Sequence, residues 1–164
     1  MTRFVAILAL VSKSLERIAL IIACSGLVLM TISILIQILA RYIFSEPLAW
    51  TEELARHAMI WSGFSGATVA YYRRADPVLF NAASIKRAWM RRSAQFIEVG
   101  AVITFCTAVL AASPAFMALH RTMFTETLQA PTQIVVAIIP LSMGVILYHA
   151  FVRLMTLLFA KAAD

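Results

Sequence analysis

Residues 41–56 read Arg41-Tyr-Ile-Phe-Ser-Glu-Pro-Leu-Ala-Trp-Thr-Glu-Glu-Leu-Ala-Arg56, a charged and aromatic segment between two long apolar runs. This segment, called the joint below, carries three carboxylates, two guanidinium groups and a tryptophan. A simple connector between helices needs only a few solvated turn residues. The density of charge therefore indicates a second purpose for the joint, most simply contact with a partner.

The composition excludes a soluble globular domain. Of the 164 residues, 62% are hydrophobic and 13% are charged, and the mean hydropathy is +0.89. A soluble chain of this size could not bury so much apolar surface, which makes the bilayer the expected solvent. The two cysteines, Cys24 and Cys106, lie in apolar runs. They predict small buried side chains and no disulfide framework or metal site.

Four apolar runs are long enough to cross about 30 Å of hydrocarbon as helices. They cover residues 18–40, 54–72, 96–119 and 134–160. The predicted fold is an all-α membrane protein, a single four-helix transmembrane domain over residues 1–164. Good helix formers from Ile85 onward, with Ser84 as a cap, predict that the third helix begins before the membrane and runs to Leu119.

The basic residues predict the orientation. Eleven lie before the first run, between the second and third, or at the end of the fourth: Arg3, Lys13, Arg17, Arg73, Arg74, Lys86, Arg87, Arg91, Arg92, Arg153 and Lys161. The other connectors hold three, Arg41, Arg56 and Arg121. By the positive-inside rule both termini are cytoplasmic. This topology also explains the net charge of +6 without nucleic acid.

The first 17 residues allow two interpretations. Arg3 and the apolar stretch after it resemble the start of a secretory signal peptide, but Lys13, Glu16 and Arg17 follow at once and no small-residue cleavage site appears. The apolar side chains of this segment share one helical face. An amphipathic helix in the cytoplasmic headgroup layer is therefore preferred to a cleaved peptide.

Few ionisable groups lie deep in the predicted spans, where carriers and membrane enzymes place them. Glu98 is close to the cytoplasmic end of its span, and His149 is the deepest titratable group. A neutral His149 hydrogen-bonded inside the bundle is preferred to a proton relay. Haem ligation by His57 and His120 is a weaker alternative. The sequence thus predicts no enzyme, no catalytic or substrate-binding residues, no metal and no cofactor.

Small residues recur every four positions on two predicted helices. One stripe is Ala58, Ser62, Gly66 and Ala70, and the other is Gly100, Thr104, Ala108 and Ala112. Such stripes let helices approach closely in a membrane. Packing inside the four-helix bundle is slightly preferred to packing against another protein.

The joint contains local helix signals as well as charge. Ser45 can cap a short turn, and Thr51 can cap the second helix. Glu52 and Glu53 then lie in its first turn, where the helix dipole favours acids. Glu52 and Arg56 have the spacing of a helical ion pair, which contributes only about 0.3–0.5 kcal/mol when exposed. Because stability does not require the cluster, a partner interface is the better explanation.

The joint also carries a family resemblance. Arg41-Tyr-Ile-Phe, then Trp50-Thr-Glu-Glu-Leu-Ala-Arg56, then Trp61 and Gly66-Ala resemble the small membrane subunit of tripartite ATP-independent periplasmic (TRAP) transporters. The four-span layout and the length are similar too. One difference is Asp76, which stands where the family often has a histidine after the second span.

The resemblance implies a supporting role, in which this subunit neither catalyses a reaction nor transports the solute itself. In such systems a periplasmic solute-binding protein delivers an organic anion, such as a dicarboxylate or a sugar acid, to a large multi-span subunit in the bacterial inner membrane. That subunit moves the solute on a sodium gradient, and the small subunit is its scaffold. Six joint residues would form the partner interface or hold its shape: Arg41, Tyr42, Trp50, Glu52, Glu53 and Arg56. The alternatives are an independent four-span carrier or efflux protein acting as a homo-oligomer, and a haem-containing electron carrier.

Overall fold

The computed structural model describes residues 2–46, 48–75 and 87–160, and these are helical apart from their connectors. The helices are α1 (Thr2–Tyr42), α2 (Ala49–Arg73), α3 (Ala88–Leu119), α4 (Thr132–Val136) and α5 (Ile138–Ala160). The all-α prediction is therefore confirmed. Ser84, Ile85 and Asp76 lie outside the described residues, so the predicted helix that starts near Ile85 is seen only from Ala88 onward.

Three stretches are long and apolar enough to cross a membrane: Ile7–Tyr42, Trp89–Leu119 and Thr132–Leu158. The predicted span at 54–72 lies inside α2, which is not among them. The acids, Arg56 and the serines of α2 lower its hydropathy. The described part of the chain therefore supports three spans by length and composition, one fewer than predicted.

α1 is one continuous helix of 41 residues, about 61 Å long at 1.5 Å per residue. No break separates the predicted interfacial helix from the predicted span that begins at residue 18. Neither proline nor glycine occurs between Thr2 and Ser25, so nothing in the local sequence ends the helix there. The separate interfacial helix is not confirmed.

The predicted fourth span is interrupted near its start. α4 ends at Val136 and α5 begins at Ile138, with Ala137 between them. Pro140 explains the break, because it has no N–H to donate to the Val136 carbonyl. Pro114, by contrast, lies inside α3 without ending it.

α1 and α2 pack closely along faces made of small and polar residues. On α1 the buried positions are Ser12, Glu16, Ala19, Ala23, Gly26, Ser33 and Ala40, and on α2 they are Thr51, Ala55, Ala58, Ser62, Ser65, Thr68 and Val69. The α2 series advances by alternating steps of about three and four, and the α1 series does so as far as Gly26 and then advances by sevens. Both follow the seven-residue repeat of a left-handed coiled coil. The two helices approach closely at Gly26, where an added Cβ would lie 2.9 Å from the Ser62 Cβ and 3.1 Å from the Ala58 carbonyl.

A smaller apolar core joins α3 to α5 and α2. Cys106, Met143 and Ile146 are buried at its centre, with Phe64 and Leu147 packed against them. Cys106 is thus buried as predicted, but Cys24 is exposed on α1, so the prediction of two buried cysteines is wrong for one of them.

The long helices connect the same two ends of the molecule. At the joint end, the Glu53 carboxylate binds backbone N–H groups of the 120–131 connector. The opposite end, called the arginine-rich end below, contains Arg73, Arg74, Arg87, Arg91, Arg92 and Arg153. Ion pairs there join α1 to α2 and α3 to α5. α2 therefore runs between the same ends as the three apolar spans.

Candidate functional site

The backbone of the joint turns sharply between α1 and α2. α1 ends at Tyr42, and the Glu46 N–H donates back to the Ala40 carbonyl at 3.2 Å. Ser45 allows this turn by adopting a left-handed conformation with φ 56°. Ser45 is therefore a turn residue at the end of α1, and its side chain makes no helix-capping bond to the described residues, which do not include Pro47.

Thr51 does not cap α2, which corrects the sequence prediction. The helix begins two residues earlier, at Ala49, with Leu48 as its N-cap and no side-chain capping bond. Thr51 is completely buried, and its hydroxyl donates to the Leu48 carbonyl at 2.7 Å. The first turn of α2 thus contains Glu52, whereas Glu53 lies one residue farther along.

The two neighbouring acids of the joint have different environments. Glu52 forms the expected ion pair with Arg56 at 3.1 Å, and both side chains are about 60% exposed. Glu53 instead reaches the distant 120–131 connector, where its Oε2 accepts hydrogen bonds from the N–H groups of Thr127 at 2.7 Å and Leu128 at 3.2 Å. The Thr125 hydroxyl and these two N–H groups lower the pKa of the Glu53 carboxyl to about 2.

The connector that Glu53 holds is itself ordered by backbone bonds. Its two sides pair at a bridge between Phe124 and Pro131. The Thr125 N–H donates to the Ala130 carbonyl at 2.9 Å, and the Ala130 N–H donates to the Thr125 hydroxyl at 3.1 Å. Gln129 adopts the left-handed conformation with φ 52° that closes the turn.

A cleft of about 350 Å³ lies between the start of α2 and this connector. Glu52, Glu53, Arg56 and His57 line one wall, so three of the six predicted interface residues lie together there. The remaining three lie outside the cleft and are exposed: Arg41, Tyr42 (77%) and Trp50 (37%). The joint end thus presents a charged cleft with an aromatic surface beside it.

The arginine-rich end contains ion pairs that the sequence did not predict. Arg73 Nε donates to Glu16 at 2.8 Å, which joins α2 to α1. Arg153 binds Glu98 through two parallel hydrogen bonds of 2.7 and 2.9 Å, which joins α5 to α3. The sequence places Glu98 close to the cytoplasmic end of its span but does not identify this partner. An arginine-to-carboxylate pair of this bidentate type fixes direction as well as charge.

His149 lies beside these pairs and is 4% exposed. Its Nδ1 is 2.6 Å from the Ser12 hydroxyl, and its ring lies 5.1 Å from that of Tyr72. The neighbouring Tyr148 hydroxyl donates to the Leu8 carbonyl at 3.1 Å, which also ties α5 to α1. His149 thus forms a hydrogen bond within the helix bundle.

The other histidines lie at the joint end. His57 lines the cleft, and His120 ends α3 with its Nδ1 2.9 Å from the Phe116 carbonyl. Among the described residues no group of three or more His, Cys, Asp or Glu side chains is arranged to hold a metal ion.

The two small-residue stripes differ in their surroundings. Ala58 and Ser62 are buried against α1, whereas Gly66 and Ala70 are only half-buried, and a Cβ on Gly66 would meet nothing within 4 Å. The second stripe, Gly100, Thr104, Ala108 and Ala112, is exposed on α3. The preferred interpretation, that both stripes pack inside the chain, is therefore wrong for the second.

The sequence model of the DctQ component of tripartite ATP-independent periplasmic transporters matches residues 30–160. This stretch includes the joint, the cleft and the α3–α5 ion pair. The chain belongs to the DctQ family.

A relative of this DctQ chain occurs in Haemophilus influenzae, where it has a provisional description as a TRAP transporter small permease protein. The two are 36% identical over 61 residues, which is 37% of this chain and 35% of the relative. The aligned part thus spans about a third of the relative's length.

The Glu53 contact leads to a prediction about pH. Because the folded pKa lies below the ordinary value of 4.5, the carboxylate stabilises the DctQ chain above about pH 4.5 and loses this effect as the pH falls toward 2. We expect Glu53→Gln to lower the melting temperature at pH 7 in mild detergent, with the gap to the unmodified protein closing below pH 4.5. The matched control is Glu52→Gln, which should change little. Equal effects of the two variants would contradict the assigned role of Glu53.

Proposed function

We propose that this DctQ-family chain is the small permease subunit of a sodium-driven, binding-protein-dependent secondary transporter, and that it is a scaffold for the large transport subunit. The observation that carries the proposal is that the two carboxylates at the arginine-rich end are paired with arginines of the same chain. Glu16 binds Arg73 and Glu98 binds Arg153. Carriers instead direct polar groups of unwound helices toward a substrate near the midplane. The sodium dependence and the organic-anion class are supported by the resemblance to TRAP systems.

The scaffold proposal also fits the outer surfaces of the helices. In the most apolar 18-residue stretches of α1 and α3, 11% of the residues are buried within the chain. These faces need lipid or another apolar helix as their neighbour. The exposed small-residue stripe from Gly100 to Ala112 would let a helix of the large subunit approach closely. We further propose that the six joint residues contribute to the partner contact, with Glu53 holding its shape.

We also propose that the chain crosses the bacterial inner membrane four times and that both of its termini lie in the cytoplasm. α2 is about 37 Å long, enough to cross the hydrocarbon. Burial of its polar face against α1 explains how a helix of low hydropathy could do so. Most of the cations lie at the end opposite the joint, which supports a cytoplasmic position for that end.

Cysteine labelling tests the crossing of α2. In a chain whose two native cysteines are replaced by alanine, Phe44→Cys and Glu126→Cys should react with a membrane-impermeant maleimide on spheroplasts. Arg87→Cys should react only after lysis, because α2 returns the chain to the cytoplasm. Reaction of Arg87→Cys on intact spheroplasts would exclude the four-span topology.

Co-purification tests the scaffold role. Expressed with an affinity tag in its native host, the chain should recover a much larger multi-span protein in mild detergent. In liposomes, sodium-driven uptake should require that protein together with the solute-binding protein. Uptake by this chain alone would instead establish the independent homo-oligomeric carrier.

A further inference from the structure

A second cavity, of about 160 Å³, lies at the arginine-rich end between α1, α2 and α5. By volume it has room for about five waters or one small oxyanion. Its walls include Ser12, Tyr71, Arg74, His149 and Arg153. All five carry polar groups, so this is no ordinary packing defect between apolar side chains.

Three buried polar atoms at this cavity have no hydrogen-bond partner within the described residues. They are His149 Nε2, the Tyr71 hydroxyl and Arg153 Nε. The Tyr71 hydroxyl lies close enough to the Arg153 side chain to interact with it, so these two groups partly satisfy each other. An unpaired buried donor costs about 1–3 kcal/mol, so such groups normally have a partner. The His149 Nε2 atom and the Tyr71 O–H remain without an acceptor, and a ligand that accepts hydrogen bonds would satisfy both.

The hydrogen bond of Ser12 indicates which nitrogen of His149 carries the proton. A helical serine often donates to the carbonyl four residues earlier, which here is Leu8. That carbonyl already accepts from the Ser12 N–H within α1 and from the Tyr148 hydroxyl at 3.1 Å. The Ser12 hydroxyl therefore donates to Nδ1 at 2.6 Å. The neutral ring then has its proton on Nε2, the nitrogen that has no partner among the described residues.

The charge around the cavity favours an anion. Arg74 lines it and has no carboxylate partner among the described residues. Among the residues whose side chains the structure describes, this end of the molecule has eight cations, Lys13, Arg17, Arg73, Arg74, Arg87, Arg91, Arg92 and Arg153, and two carboxylates, Glu16 and Glu98. A tyrosine, a histidine and two arginines line the cavity, and although Arg153 is already paired with Glu98, arginine is a preferred partner of phosphate.

The depth of the cavity fits the headgroup layer. With both headgroup layers the bilayer is about 40–45 Å thick, which corresponds to about 27–30 residues of a helix. Counted back from Tyr42 at the joint end of α1, this thickness reaches residues 12–15, so Ser12 lies at the inner edge of the headgroup layer. A phosphate at this level could belong to a phospholipid or come from solution.

We propose that this cavity binds a phosphate group, either of an anionic phospholipid or of free phosphate. The Tyr71 and His149 donors orient it and Arg74 supplies the countercharge. The bound phosphate then joins α1, α2 and α5 at a place where the protein alone leaves donors unpaired. Solute transport does not enter this inference, so it stands or falls separately from the proposed function.

Two substitutions test the site with little risk to folding. Tyr71→Phe removes only the hydroxyl, with Tyr42→Phe as its control on the exposed joint. Arg74→Gly removes the charge, and glycine suits this position because Arg74 ends α2 in a left-handed conformation with φ 53°. Arg74→Gly should therefore bind phosphate more weakly without losing stability. Arg121→Gln removes a cation at the opposite end and is its control.

The measurement uses the full-length purified chain. Native mass spectrometry counts phospholipid retained after reconstitution in phosphatidylcholine nanodiscs with and without phosphatidylglycerol, and thermal shifts report inorganic phosphate. We expect retained phosphatidylglycerol or a phosphate-induced shift, with affinity about tenfold lower in Tyr71→Phe and in Arg74→Gly and unchanged in both controls. Retention of lipid alone assigns the headgroup, and a shift with inorganic phosphate alone assigns the free ion. Binding of neither probe, or equal binding by all four variants, would overturn the proposal.

Discussion

Glu98→Gln should destabilise the protein more than any other single charge removal considered for this chain. The Arg153 side chain is 13% exposed and donates hydrogen bonds to both carboxylate oxygens of Glu98. Without that carboxylate, a positive charge is left buried between helices. Breaking one partner of a buried pair, or placing a lone arginine in a membrane helix, costs about 3 kcal/mol. Thermal unfolding in mild detergent should show a correspondingly lower melting temperature.

Two comparisons separate charge burial from a general effect of mutation. Glu52→Gln breaks an exposed pair at the joint and should cost less than about 1 kcal/mol. Glu98→Gln combined with Arg153→Met removes both charges and should recover most of the lost stability, because no unpaired ion remains. If the double variant were as unstable as Glu98→Gln alone, the unpaired arginine would not be the cause.

Gly26→Ala should separate α1 from α2. The added methyl group would lie 2.9 Å from the Ser62 Cβ and 3.1 Å from the Ala58 carbonyl, and the latter belongs to a helix backbone that cannot move alone. Overpacking of this kind costs about 1–3 kcal/mol. Thermal unfolding measures the loss, and cross-linking between cysteines placed on the two helices measures the change in spacing.

The control for this change is Gly63→Ala, since a Cβ at Gly63 meets nothing within 4 Å. Alanine favours the helix by up to about 1 kcal/mol there, so stability should stay constant or rise. Ser62→Gly should partly rescue Gly26→Ala by removing the nearest atom. A Gly26→Ala protein as stable as Gly63→Ala would contradict the close approach.

The sequence predicts the helices and the end of the molecule at which most cations lie. It does not predict which face of α2 is packed. The predicted stripe advances by four residues at each step, from Ala58 to Ala70. In a helix each such step rotates the side chain by about 40°, so the stripe turns away from a fixed neighbour within three steps. The observed face alternates steps of three and four, which keeps it toward the partner helix. Gly66 and Ala70 accordingly lie at the edge of the contact.

The long-range polar contacts are the hardest to predict. Glu53 and Thr127 are 74 residues apart, and Ser12 and His149 are 137 apart. Spacing along the chain contains no information about such pairs. A physical signal is nevertheless present, since a carboxylate at the edge of a membrane helix requires a partner. For Glu98, this requirement indicates a cationic partner on a neighbouring span, and Arg153 is that partner.

The contacts made by Glu53 and His149 together restrict how the helices can slide along each other. Helices α1 and α2 form one hairpin and α3 to α5 form another. Glu53 fastens the two at the joint end, and the bond between Ser12 and His149 fastens them at the arginine-rich end. Sliding one hairpin past the other by a single helical turn, about 5.4 Å, would break both fastenings at once. These contacts therefore oppose sliding of the two hairpins along each other. A neighbouring protein that moves would contact a chain whose helices keep their relative positions.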